Sequence, residues 1–174
     1  MKWFWILLLA VGALAGGCQK SATSTAPAPT PVVGYPPLPI AAQPKLRTIN
    51  LWIRSESMVA ETALTEIQRE TGMMFRTNMA ENEGMVFVFP TPYRASFWMM
   101  QTELPLSAAY IDPEGVILEI HDLQPHNTNS VVAASDNVQY VLETRQGWFQ
   151  RHDIKEGTVI STEKGPLKKT LFGQ

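Results

Sequence analysis

Cysteine and charge are both scarce in this chain of 174 residues. Its single cysteine excludes an intramolecular disulfide framework and any cysteine-rich zinc site. Charged residues make up 17% of the chain, and 14 Lys and Arg stand against 16 Asp and Glu. Because a charge-driven nucleic-acid binder needs a clustered surplus of Lys and Arg to contact phosphates, we expect no nucleic-acid partner.

Known catalytic and cofactor motifs are also missing from the sequence. It has no glycine-rich dinucleotide or phosphate loop, no HExxH zinc motif, no GxSxG nucleophile elbow and no calcium-binding loop. The three histidines, His121, His126 and His152, match no standard zinc spacing. We therefore predict no metal and no cofactor, and we favour a protein that is not an enzyme.

The N-terminus has the features of an export signal. Lys2 is a short positive region, and residues 3–15 carry no charge but are too few to span a bilayer. Small residues then lead into Cys18, which resembles a bacterial lipobox whose cysteine is lipidated after residues 1–17 are removed. The alternative is an ordinary signal peptide that leaves a free cysteine. By the same resemblance Gln19 indicates outer-membrane retention, so we predict a lipid-anchored envelope protein facing the periplasm.

Composition divides the remaining chain into three parts. Residues 18–46 hold seven of the 13 prolines, among Ala, Ser and Thr. Because proline fixes φ and lacks an amide donor, this segment is predicted to be an extended linker behind the lipidated cysteine. The globular domain is predicted over residues 47–161. Residues 162–174 contain three lysines and are predicted to be a flexible basic tail.

Short strand patterns dominate the predicted domain. Thr65 and Gln68 form a capping box, which predicts a short helix that ends before Gly72. The residues Asp-Pro-Glu-Gly at 112–115 have type I turn preferences and predict a hairpin, and a helical turn is predicted over 147–152. This pattern indicates an α+β domain with one or two short helices and a mostly antiparallel, curled, barrel-like sheet. The strands are predicted at 51–53, 58–63, 85–89, 96–102, 107–111, 116–120, 138–143 and 158–160.

Candidate ligand-binding residues and candidate catalytic residues both stand out from this pattern. Trp98 has a ring able to stack on a sugar, although a Trp in a strand is more often part of a core. Arg76 follows an apolar segment and is a candidate to bind an acidic group, although it serves equally well to cap a helix end. Asp112, Glu119 and Glu143 offer paired carboxylates for glycoside hydrolysis. The alternative is that Asp112 stabilises its turn and both glutamates face outward.

A series of motifs runs through the domain in a fixed order. They are GMMFR at 72–76, EGMVFVF at 83–89, FWMMQTELPL at 97–106, YID at 110–112, YVLE at 140–143 and GWF at 147–149. The series resembles the domain of unknown function 192 family. The resemblance implies a small α+β, barrel-like domain that is often exported, and it supplies no reaction. The polar motif positions, our predicted ligand-binding residues, are Arg76, Trp98, Gln101, Thr102, Asp112 and Glu143.

Three positions depart from the family pattern. Met100 stands in place of Lys, Gln101 in place of Asn, and Ser107 in place of Asp. A cation and a carboxylate are therefore lost together. Either they formed a dispensable ion pair, or this member has an altered ligand site.

Three functions are compatible with the sequence. We favour a non-enzymatic binding module for a polar envelope ligand such as a glycan, bound near Trp98, Arg76 and Thr102. The first alternative is a hydrolase that uses two of the three candidate carboxylates. The second is a structural or assembly lipoprotein that acts through a protein partner, with Trp98 wholly internal.

Overall fold

The computed structural model describes residues 38–173, so the predicted signal peptide, Cys18 and most of the linker lie outside the described residues. No helix in the described part has the length and apolar character needed to cross a membrane. The elements are β1 (Thr48–Ile53), β2 (Glu56–Ala63), α1 (Glu66–Thr71), β3 (Glu83–Tyr93), β4 (Ser96–Phe97), β5 (Leu106–Ile111), β6 (Ile117–Leu123), β7 (Val131–Val132), β8 (Val138–Arg145), α2 (Trp148–Arg151), β9 (Ile160–Thr162), β10 (Gly165–Pro166) and α3 (Leu167–Phe172).

Eight of these strands form one mixed sheet in the order β10-β9-β1-β2-β3-β8-β5-β6. Its neighbouring strands are antiparallel except β2 and β3, which are parallel. Helix α1 lies in the connection between β2 and β3, because a parallel pair needs a long crossover where an antiparallel pair needs only a turn. Strands β4 and β7 form a separate two-stranded sheet. The predicted α+β class with a mostly antiparallel sheet is confirmed.

The predicted capping box starts α1 as expected. The Thr65 hydroxyl accepts a hydrogen bond from the Gln68 amide, and the Gln68 side chain accepts one from the Thr65 amide. The helix ends at Thr71, and the amide of Gly72 donates to the Gln68 carbonyl. Two backbone amides at the N-terminus of α1 that would otherwise lack a partner are hydrogen-bonded in this way. These bonds stabilise a helix of only six residues.

The central strands of the main sheet are buried on both faces, which gives the domain two cores. Strands β5 and β8 are buried along their whole length except at Arg145. We call the face that packs against α2 and α3 the first core and the face that packs against β4 and residues 73–79 the second core. The first core includes Leu51, Val86, Ile111, Tyr140, Leu142, Trp148 and Leu167. The second includes Met73, Met85, Phe87, Met99, Ala108, Tyr110 and Val141.

The sheet is curled because its two ends are hydrogen-bonded to each other. Ile117 at the start of β6 donates to the Thr158 carbonyl and accepts from the Gly157 amide. The Ile160 amide donates to the Gly115 carbonyl, at 2.8 Å. Strand β6 at one end of the sheet therefore meets the segment around β9 at the other. The predicted curl is present, but the sheet does not close into a barrel.

The described part of the predicted flexible tail, residues 162–173, is instead folded. Strand β10 pairs with β9, and α3 follows it as a third helix where one or two were predicted. Leu167 is 1% exposed in the first core, and Leu171 and Phe172 pack against that core. These three residues recur at helical spacing, and their burial outweighs the cost of ordering the lysines between them. The prediction of a loose tail is therefore wrong.

The strand predicted over residues 96–102 is also shorter than expected. Only Ser96 and Phe97 pair, in β4. The chain then turns, with the Thr102 amide donating to the Met99 carbonyl and Gln101 at a φ of 53°. A left-handed residue does not continue an extended strand, so the apolar run ends in a tight turn.

We predict that Gly115→Ala destabilises the domain more than Gly157→Ala. Both glycines have a left-handed φ, of 88° and 83°, so each substitution carries a backbone cost of roughly 1–2 kcal/mol. A Cβ at Gly115 would also lie 2.7 Å from the Ile160 carbonyl oxygen, whereas one at Gly157 meets nothing within 4 Å. Urea unfolding of both variants measures the difference. Equal losses would contradict the close approach of the hairpin to β9.

Candidate functional site

A cavity of about 400 Å³ opens beside α1, on the face of the sheet that carries the second core. Its volume lies within the range of small-ligand sites. Acidic, aromatic and sulfur-containing side chains line most of it, together with one arginine. The lining residues are Glu66, Arg69, Glu70, Thr71, Gly72, Met73, Met74, Phe87, Phe89, Tyr93, Ser96, Phe97, Trp98, Thr102 and Glu143.

Glu143 lies at the floor of this cavity, on the central strand β8. It stands in register with Met85 of β3 and Ala108 of β5, and only 4% of it is exposed. No hydrogen bond or charge from residues 38–173 stabilises its carboxylate, and burial alone raises the pKa of this carboxyl to about 8. Glu143 therefore keeps its proton at neutral pH and offers the cavity an O–H donor.

Trp98 and Thr102 reach the same cavity from the turn after β4. Trp98 is 44% exposed, so its ring belongs to the rim rather than to a core. Thr102 is buried, and its hydroxyl donates to the Met100 carbonyl at 3.2 Å. The structure thus brings three of the six predicted ligand-binding residues together: Trp98, Thr102 and Glu143.

The other three predicted residues lie outside the cavity lining. Arg76 makes a two-pronged ion pair with Glu61, with N–O distances of 3.0 and 3.1 Å. Gln101 occupies the left-handed position of the turn, where its carbonyl accepts from the Phe75 amide. The Asp112 carboxylate accepts hydrogen bonds within its own hairpin turn. Each of the three residues has a local structural role at its position.

The carboxylates proposed for a hydrolase do not share the cavity. Among Asp112, Glu119 and Glu143, only Glu143 lines it. Burial opposes ionisation of Glu119, but hydrogen bonds from His121 and from the Ser135 and Ala134 amides outweigh that effect and lower its pKa. Within residues 38–173, no group of three or more His, Cys, Asp or Glu is arranged to hold a metal.

Three residues of α1 complete the site, and the sequence interpretation missed them. Glu66, Arg69 and Glu70 are spaced three and four residues apart, which places them on one side of a helix and is the signal that identifies them. The Arg69 guanidinium donates to the Val88 carbonyl at 3.0 Å, and its carbon lies 5.3 Å from the centre of the Phe89 ring. The cavity wall formed by α1 is therefore charged, with two acids and one base.

The sequence profile of the domain of unknown function 192 family (DUF192, Uncharacterized ACR) matches residues 49–162. This chain belongs to the DUF192 family. The match covers β1 to β9 and confirms the family predicted from the ordered motifs. No curated protein matches the chain.

Two solved structures resemble this DUF192 protein. One is from Sinorhizobium meliloti 1021 and is proposed to be a transcription regulator. It has 28% identity and a TM-score of 0.67, over 69% of this chain and 97% of the other. The second is a protein of unknown function from Novosphingobium aromaticivorans DSM 12444, with 29% identity and a TM-score of 0.63. That match covers 84% of this chain and 99% of the other.

Two departures from the DUF192 pattern have visible structural consequences. Gln101 stands where the pattern has Asn, although its φ of 53° is one that Asn adopts more readily. Ser107 stands where the pattern has Asp. Its hydroxyl donates to Asp122 on the neighbouring strand and accepts from the Gly147 amide. A carboxylate is therefore still present at this place, on β6 instead of β5.

We predict that Arg76→Met destabilises the domain by about 3 kcal/mol, because it leaves a mostly buried Glu61 carboxylate without its partner. Adding Glu61→Gln removes that unpaired charge and should recover part of the loss. Urea unfolding of both variants and the wild type measures these changes. A double variant no more stable than Arg76→Met would contradict the structural role of this ion pair.

The raised pKa of Glu143 predicts a pH-dependent stability. Between pH 4.5 and about 8 the folded state retains a proton that the unfolded state has lost. This group should therefore reduce the free energy of unfolding by about 1.4 kcal/mol for each pH unit within that window. Glu143→Gln cannot titrate, so it should lack this contribution. Urea unfolding at several pH values compares the two proteins, and parallel pH profiles would contradict the assignment.

Proposed function

We propose that this DUF192 protein is a non-enzymatic binding module that takes a small ligand in the cavity beside α1. The observation that carries this proposal is the meeting of Trp98, Thr102 and Glu143 in a cavity of about 400 Å³. The exposed Trp98 ring offers a flat surface on which a ligand stacks. Below it, the protonated Glu143 carboxyl offers a hydrogen bond. The site thus combines aromatic and sulfur-containing walls with a small number of polar groups, as small-molecule sites do.

The hydrolase predicted from Asp112, Glu119 and Glu143 is not supported by where these three acids lie. Hydrolysis of a glycoside needs two carboxyl groups that flank one bond. Asp112 is bonded into its turn, and Glu119 accepts hydrogen bonds from His121 and the Ala134 amide. Neither carboxylate is among the residues that line the cavity with Glu143.

We further propose that the module is anchored to the bacterial cell envelope by a lipid on Cys18, in the outer membrane and facing the periplasm. The support for this is the sequence alone: an apolar leader, small residues before the cysteine and Gln19 after it. Residues 18–42 would then act as the spacer between membrane and domain, at ~3.1 Å per residue where polyproline II forms, because Gln43 and Leu46 already contact the domain. The expected partners are the membrane and a small ligand.

We predict that Trp98→Ala abolishes ligand binding while Trp52→Ala preserves it. The two rings are similarly exposed, at 44% and 49%, and only Trp98 lines the cavity. A ligand at 100 times its dissociation constant should add about 2.7 kcal/mol of stability. Thermal unfolding with N-acetylglucosamine, glycan fragments and 2-phenylethanol measures this stabilisation in the wild type and both variants. Equal stabilisation of Trp98→Ala by a binding compound would contradict the proposed site.

A further inference from the structure

The balance of charge around the cavity indicates which ligands it accepts. Three carboxyl groups line it, those of Glu66, Glu70 and Glu143, against the single guanidinium of Arg69 among the described residues. That guanidinium is already held by the carbonyl oxygens of Leu64 and Val88. An anionic ligand would therefore meet more negative than positive charge and find the one cation already engaged.

The walls between these charges are aromatic and sulfur-containing. Phe89, Tyr93 and Trp98 line the cavity together with Met73 and Met74. The faces of aromatic rings attract cations, and Arg69 already lies over Phe89 in such a contact. The same walls bury an apolar ligand body, and methionine adapts to its shape. Both properties suit a ligand that is apolar along its length and positively charged at one end.

Glu143 is positioned to receive that charged end. Its side chain is 96% buried by the protein, lines the cavity and receives no hydrogen bond from residues 38–173. An ammonium group has three N–H donors and no acceptor, which makes it complementary to an unpartnered carboxylate. We propose that the cavity binds a protonated amine on an apolar body, with the ammonium group against Glu143. This inference rests on the proposed function and names its ligand class.

Binding of an ammonium group would expel the proton that Glu143 holds in the free protein. The carboxyl O–H proton passes to solvent, and the carboxylate then pairs with the cation, so no covalent bond to the ligand forms. The other ionisable groups that face Glu143 are Tyr110 of β5, Tyr93 of β3 and the charged residues of α1. Burial raises the pKa of both tyrosines, so neither releases a proton at neutral pH.

The test uses three probes of similar shape and different charge on the full chain. They are 2-phenylethylamine, protonated at neutral pH, neutral 2-phenylethanol and anionic 3-phenylpropionate. Calorimetry should give at least about tenfold tighter binding of the amine than of the alcohol, and the weakest binding for the anion. Titrations in two buffers of different ionisation enthalpy, below pH 7, should detect proton release with the amine alone.

Substitutions then assign the selectivity to the cavity. Glu143→Gln should bring the affinities for amine and alcohol to about the same value and abolish proton release. Glu163→Gln makes the same substitution at an exposed turn outside the cavity and should change neither result. The double variant Glu66→Gln/Glu70→Gln alters only the cavity wall on α1, so it tests the same charge effect should Glu143→Gln not fold. This double variant should weaken binding of the amine and leave binding of the alcohol unchanged.

The possible outcomes separate this inference from the proposed function. If the alcohol or the anion binds as tightly as the amine, the ligand class is wrong and the binding module stands. If the amine is preferred but Glu143→Gln retains that preference and the proton release, the assigned contact is wrong. If none of the three probes binds, the amine class is overturned; the binding module is overturned with it only when N-acetylglucosamine and the glycan fragments also fail to stabilise the wild type.

Discussion

The burial of β8 on both faces is the constraint on which the rest of the structure depends. Tyr140 and Leu142 extend into the first core, while Val141 and Glu143 face the second. Because both faces of β8 are covered, its side chains can contact solvent only where the segments packed on it leave an opening. The cavity beside α1 is such an opening, and it lies over the one carboxyl on this strand. A buried acid without a partner is costly, so its position is easier to explain by a ligand than by stability.

The turn that carries Trp98 and Thr102 contains one of an unusual pair of backbone conformations. Phe75 and Gln101 both have a left-handed φ, of 60° and 53°, and the Phe75 amide donates to the Gln101 carbonyl at 2.8 Å. Each conformation is unfavourable for a residue with a side chain and persists only where its surroundings require it. The turn that presents Trp98 and Thr102 is therefore fixed by its neighbours rather than by its own preferences, which keeps the rim of the cavity preformed.

Local signals made much of the fold predictable from the sequence. The capping box at Thr65 and the turn at 112–115 depend on residues a few positions apart, and both formed as expected. The order of α3 was not predictable in this way, because it depends on a distant core that buries Leu167. Three of the six ligand-binding residues predicted through the motifs lie in the candidate site. The acids and arginine of α1 were missed because they become part of a site only when the crossover places that helix beside β3.

The departures from the family pattern can now be judged by their places in the structure. Met100, Gln101 and Ser107 are all absent from the residues that line the cavity, whereas Trp98, Thr102 and Glu143 keep the pattern and line it. At position 107 the lost carboxylate is replaced by Asp122, which Ser107 contacts across the strand pair. The three changes therefore fall outside the set of residues that line the cavity. Of the two explanations open from the sequence, this arrangement favours a dispensable ion pair over an altered ligand site.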